Sequence, residues 1–266
     1  MTRVVSGALL LIIAVAVVWF APTTLFLIVA EGLLVLACRE YVGLARASKL
    51  YVPAVLTTIA AVVTCATFSR LVADWPLMLT LDGLLLVSFL ILAVFEMASW
   101  RPGRDAVGSA SAAVLPLVYL GLPLGSMVAI RELHGPQALF LMMLTVFVSD
   151  TAQYYSGRAF GKHLLAPAIS PRKTVEGAIG GFVFGALFFT VVGQWWLPSV
   201  PAIARVVIGI AIVSAGIGGD LFESMLKRSA GVKDSSALIP GHGGSLDRID
   251  ALLFAAPLYY IVLKYA

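Results

Sequence analysis

Nine long apolar runs divide this chain, and nearly all of its charge lies between them. The runs cover about residues 4–20, 23–38, 52–69, 77–95, 106–128, 137–157, 174–193, 202–226 and 250–265. A helix of ~20 apolar residues crosses the hydrocarbon core of a bilayer while satisfying its own backbone groups. Apolar residues make up 61% of the chain and charged residues 12%, too few to clothe a soluble domain, where roughly a quarter are charged. The expected fold is therefore all-α: a polytopic transmembrane helical bundle of about nine spans, forming one integral membrane domain over residues 1–266. The first two runs are short and predict a tight hairpin. Turn chemistry marks the breaks at Ala21-Pro22, Trp75-Pro76, Arg101-Pro102-Gly103, Gly135-Pro136, Pro198 to Pro201 and Pro240-Gly241. Ala21-Pro22 matches a signal-peptidase site poorly, so residues 1–20 read as an uncleaved first span. Cys38 and Cys65 lie inside apolar runs and predict neither a disulfide nor a thiolate metal site.

The basic residues orient the bundle. With the N-terminus in the cytosol, the inner side receives Arg3, Arg39, Arg46, Lys49, Arg101, Arg104, Arg158, Lys162, Arg172, Lys173, Lys227, Arg228, Lys233 and Arg248, which is 14 of the 18 Lys and Arg. Arg70, Arg131, Arg205 and Lys264 fall outside. That asymmetry is what the positive-inside rule expects. The net charge of +4 is thus spent between apolar runs, a pattern suited to anionic lipid headgroups and not to nucleic acid. Both polar segments rich in reactive groups, 158–173 and 227–249, then face the cytosol, where nucleotides are available.

Charge inside a span costs about 2.5–3.5 kcal/mol on insertion scales and marks a candidate functional site. Asp220, Glu223, Ser224 and Lys227 fall at i, i+3, i+4 and i+7, on one helix face at the cytosolic end of the eighth span. Asp150, Gln153, Tyr154 and Gly157 repeat that spacing on the sixth. Asp247 and Asp250 flank Arg248 at the start of the ninth. Each set alone also reads as a salt bridge or a solvated helix end. Four carboxylates together repel without a cation, and hard oxygen donors of this kind suit Mg²⁺. Arg172 and Lys173 precede a helix N-terminus, an arrangement that binds anions or merely flanks a span. Gly243 and Gly244, after His242, form a glycine-rich loop whose amides can approach a phosphate, although a plain turn has the same look. His242 reads as a general acid, a metal ligand or a packing residue, and His134 and His163 as structural or surface residues. Glu31 and Asp82 read as paired or interfacial groups. Gly177, Gly181 and Gly185 form a stripe for close helix packing.

The 27 residues from Ser224 to Asp250, with Lys227-Arg228, Lys233-Asp234, Pro240-Gly241-His242-Gly243-Gly244 and Asp247-Arg248-Ile249-Asp250, resemble the signature of the phosphatidate cytidylyltransferase family. Gly219-Asp220-Leu221-Phe222-Glu223, Ser170 to Gly177, and Asp150 to Tyr154 with Gly157 and Gly161-Lys162 resemble further segments of it. Residues 1–100 add little beyond hydrophobicity, so the resemblance places a catalytic region in 137–266. Ser245 departs from the family pattern, where an apolar residue is usual. The resemblance implies an integral membrane enzyme, of the cytoplasmic membrane in a bacterial cell. It would convert CTP and phosphatidate to CDP-diacylglycerol and pyrophosphate, with Mg²⁺ and a candidate second cation, K⁺. Membrane lipids are its surroundings, and a homodimer is left open. By matching position, Asp220 and Asp247 are expected to hold metal, with Asp250 and Glu223 in support. Lys227, Arg228, Lys233, Asp234 and Arg248 are the expected catalytic set. Arg172, Lys173, Ser224, His242, Gly243, Gly244, Asp150 and Tyr154 are expected to bind substrate.

Two other functions fit less well. A CTP-dependent polyprenol- or phytol-type lipid kinase would release CDP and would need a base to deprotonate its alcohol. A transporter would place its ionisable residues near the midplane and usually show internal repeats, which this sequence lacks.

Overall fold

A computed structural model describes residues 2–73, 80–236 and 243–265. The turns expected at Trp75-Pro76 and Pro240-Gly241, and His242, lie outside the described residues. Helices account for almost all of the rest: α1 Thr2–Phe20, α2 Thr23–Ala47, α3 Ala54–Ala66, α4 Arg70–Ala73, α5 Leu81–Ser99, α6 Ala106–Pro116, α7 Leu122–Phe160, α8 Val175–Trp196, α9 Ala202–Ser229 and α10 Leu246–Tyr265. The long helices fall on the nine apolar runs. Among the described residues, four stretches are long and apolar enough to cross a membrane: Leu81–Ser99, Ala106–Phe160, Val175–Trp196 and Ala202–Ser229. Large apolar side chains cover their outer surfaces, as on α5, where Leu86, Phe89, Leu90, Ile91 and Val94 are exposed. An outward apolar face of this kind suits lipid as solvent.

Ala106–Phe160 joins two of the expected spans into one 55-residue helical stretch. A π turn at Leu117–Gly121 links α6 to α7. Pro116 and Pro123 flank it, and each removes an N–H from the helical ladder, which a local change of helical pitch absorbs. Gly135 (φ 83°) then breaks the regular helix just before Pro136. The predicted break between the fifth and sixth spans thus falls where two helices meet, with helical bonding resuming at once beyond Gly135.

The core of the molecule is α7 packed with α8, and α9 packed with both α8 and α10. Small residues set these spacings. A Cβ on Gly177 would stand 2.8 Å from the Gln153 carbonyl oxygen, and one on Gly209 2.9 Å from the Ala186 Cα. The glycine stripe of α8 thus acts in packing, as expected. Cys38 and Cys65 are free and buried.

The segment before α8 folds into an antiparallel hairpin, β1 Leu164–Ala166 and β2 Ser170–Thr174, pairing Leu164 with Thr174 and Ala166 with Ser170. Its strands are too short and too irregular in polarity to be read from sequence. Thr174 ends β2 and caps α8 by accepting the Gly177 N–H at 3.1 Å.

Candidate active site

The end of α7, strand β2, the start of α8 and Asp220 of α9 enclose a cavity of about 510 Å³. Its wall includes Asp150, Gln153, Tyr154, Gly157, Arg158, Arg172 and Lys173. Lys173 Nζ stands 2.5 Å from Asp220 Oδ2. Gln153 Nε2 donates to Asp150 Oδ1 at 3.0 Å, holding that carboxylate at the cavity wall. Ser224 Oγ donates to Asp220 Oδ1 at 3.4 Å, one turn along α9. The two residue faces picked out by their spacing on α7 and α9 therefore meet, and β2 brings its cations between them.

A second cavity, of about 660 Å³, lies along the neighbouring face of α7. Asp150, Tyr154, Asp247, Arg248 and Asp250 form its polar end. Phe140, Met143, Phe147 and Leu252, with Leu11 and Val15 of α1, form its apolar length. Asp150 and Tyr154 belong to both cavities.

Below these cavities sits a buried ion cluster. Glu223 is fully buried, and Lys227 pairs with it one turn away and with Asp247 Oδ1 of α10 at 2.5 Å. Asp247 Oδ2 also accepts from Ser235 N at 3.0 Å, Ser235 Oγ at 2.7 Å and Gly244 N at 2.8 Å. Lys227 and these donors engage both oxygens of Asp247, whereas Glu223 has the Lys227 ammonium alone, so the ammonium is what makes the buried acids tolerable. Arg228 turns to the hairpin, donating to the Ile169 carbonyl at 3.3 Å. Lys233 and Asp234 are exposed on the connection after α9. Gly243 adopts φ 76°, a left-handed conformation open to glycine.

The donors for a divalent cation are carboxylate oxygens. Asp150 and Asp250 both lie within electrostatic reach of Asp220. Among the described residues, no three of His, Cys, Asp or Glu gather into a ready-made metal cage. Mg²⁺ seldom uses such a cage: it keeps several waters and takes one or two carboxylates plus substrate phosphates. One or two of these three aspartates meet that requirement in chemistry. Asp247 is already engaged by an ammonium and three hydrogen bonds.

Two residues were missed by sequence reasoning. Arg158 lines the first cavity but was counted only as flanking charge. Glu40, near the end of α2, accepts from Ser235 Oγ, Ser236 Oγ, Ser245 N and Leu246 N. The hydropathy reading ended its span at Cys38, and nothing in the spacing links residue 40 to residues 235–246.

The chain is 32% identical over 262 residues to the phosphatidate cytidylyltransferase of Staphylococcus haemolyticus, covering 98% of each. It is 33% identical over 265 residues to that of Aquifex aeolicus, covering 99% of this chain and 91% of the other. A 130-residue stretch, 47% of this chain and 45% of the other, is 44% identical to the enzyme of Haemophilus influenzae. With the model of the cytidylyltransferase family matching residues 1–266, the chain belongs to that family.

Proposed function

We propose that the protein transfers the cytidylyl group of CTP to phosphatidate, forming CDP-diacylglycerol and pyrophosphate. The observation that carries this reading is a cation-bearing cavity sharing a wall with a groove that is polar at one end and apolar along its length. The first suits a nucleoside triphosphate. The second suits a lipid phosphate whose acyl chains stay in the bilayer.

The phosphatidate oxygen attacks the α-phosphorus of CTP, a new P–O bond forms, and the bond to the β-phosphate bridging oxygen breaks as pyrophosphate leaves. A phosphate monoester is ionised at neutral pH, so the reaction needs no strong base or covalent enzyme intermediate. The obstacle is the approach of two polyanions. Arg158, Arg172 and Lys173 line the nucleotide cavity and would screen the triphosphate. Arg248, at the polar end of the groove, would meet the lipid phosphate, with Tyr154 between the two substrates. Lys227 is held at a fixed place by Glu223 and Asp247, as a positioned cation requires. Asp220, with Asp150 or Asp250, would hold Mg²⁺, which supplies charge screening and polarisation of the reacting phosphoryl group. Asp247 serves this arrangement as the anchor of Lys227. Nine crossings with the site facing the cytosol agree with the distribution of Lys and Arg, 14 inside and 4 outside.

The test is the fate of CTP. Purified protein in detergent, given labelled CTP, phosphatidate and Mg²⁺, is expected to release pyrophosphate and form a CDP-lipid. Release of CDP with phosphorylation of a lipid alcohol would overturn the reading in favour of a kinase.

A further inference from the structure

We infer that Glu40 is a positioning residue for the Asp247–Lys227 pair, acting from a helix distant in sequence. Its carboxylate is buried, and both of its oxygens are used twice. Oε1 accepts from Ser236 Oγ at 2.7 Å and Ser245 N at 2.9 Å. Oε2 accepts from Ser235 Oγ at 3.1 Å and Leu246 N at 2.8 Å. These donors come from two places, the connection after α9 and the first residues of α10. One acid therefore clasps both strands of chain that lead into and out of the segment between them.

The clasp has two physical effects. The N–H groups at a helix N-terminus have no partner within the helix and favour negative charge. Glu40 supplies both needs to α10 in trans, since Ser245 and Leu246 stand at its start. It also holds Ser235, whose N–H donates to Asp247 Oδ2 and whose single hydroxyl proton is shared between Asp247 Oδ2 at 2.7 Å and Glu40 Oε2 at 3.1 Å. Asp247 in turn fixes Lys227. A chain of contacts runs from Glu40 through Ser235 and Leu246 to Asp247 and the Lys227 ammonium. Asparagine or glutamine cannot replace this acid fully. Glutamine keeps one acceptor oxygen and turns an NH₂ toward a backbone N–H, two donors facing each other.

The inference rests on the proposed function, in which Lys227 is a positioned cation beside the lipid phosphate. Glu40→Gln and the milder Ser236→Ala are compared with the unmodified full-length protein in one detergent. Hydrogen exchange by mass spectrometry is expected to speed up at Ser245 and Leu246 in Glu40→Gln, with α7 to α9 unchanged. In turnover assays, KM for phosphatidate, whose groove Asp247 lines, is expected to rise about tenfold, the scale of one lost charge-assisted hydrogen bond, while KM for CTP stays within about twofold. Ser236→Ala should move both readouts in the same direction by less. A merely structural role would reduce the folded fraction and lower apparent kcat with both KM values unchanged, which would overturn the inference. Unchanged exchange at Ser245 and Leu246 would overturn it equally. If the unmodified protein makes no CDP-lipid, the reaction assigned above fails, and the exchange measurement still decides whether the clasp exists. If Glu40→Gln does not fold, Ser236→Ala decides by the same two readouts.

Discussion

The helices before Gly135 and those after it are built on different principles. In α5, Ser88, Leu92 and Glu96 are the buried residues, and most of the rest of the surface is apolar and exposed. Its packing against α6 and the π turn gathers a small cluster of Leu92, Ala113 and Leu117. The later helices carry ion pairs, a capped hairpin and two cavities within the turns nearest their polar ends. The first region is shaped for its solvent, and the second for its cargo. In an apolar solvent, hydrophobicity alone cannot hold helices together, so close packing and polar contacts must. The later helices have both.

The sharpest way to break this contrast is Asp220→Asn. It preserves side-chain shape, removes the partner of Lys173, and is expected to lower turnover by about 10²-fold or more, several kcal/mol of lost charge stabilisation. Turnover as a function of Mg²⁺ measures it, and a near-normal rate with a normal Mg²⁺ response would remove Asp220 from the site. Lys227→Met comes next. It strands Glu223 and Asp247 as buried acids, for which a loss of about 3–5 kcal/mol of stability is typical. Thermal unfolding in detergent should show a large drop in Tm. An unchanged Tm would mean that the cluster is not buried in solution.

Gly209→Val sharpens the contrast away from the site. Its side chain would press on Ala186 where α9 meets α8, at an expected cost of about 1–3 kcal/mol. KM values of the surviving enzyme should stay unchanged, and altered substrate affinity would count against a pure packing role. The smallest effect is expected in the first region. Asp82→Asn, at the exposed first turn of α5, should leave turnover within about twofold, since surface changes usually lie within ±0.5 kcal/mol. A large loss there would show that α5 takes part in the chemistry.

How much of this was legible in the sequence follows from the range of each signal. Helices were readable because hydropathy accumulates over many residues. Their ends were less so: α2 runs on to Ala47 because Arg39, Glu40 and Arg46 are unwelcome in lipid yet are good helix formers. The pairing of Glu223 with Lys227 follows from their i, i+4 spacing, whereas the meeting of Asp220 with Lys173 is seen only in the fold. The partner of Asp247 was not foreseen. A sequence shows the charge of Asp247 but not that Lys227, Ser235 and Gly244 stand against its oxygens. Glu40 was invisible for a related reason, being separated by some two hundred residues from the donors it serves.

The wall between the two cavities has a thermodynamic consequence. Asp150 and Tyr154 border both spaces, and they sit on one turn of a single helix. A ligand that displaces that turn on one side changes the room available on the other. Linkage then requires reciprocity: if nucleotide alters the affinity for lipid by some factor, lipid alters the affinity for nucleotide by the same factor. An enzyme confined to a membrane meets its lipid continuously and its nucleotide by collision. With nucleotide on one side and lipid on the other, as proposed, that turn of α7 would be the element through which the two affinities are linked.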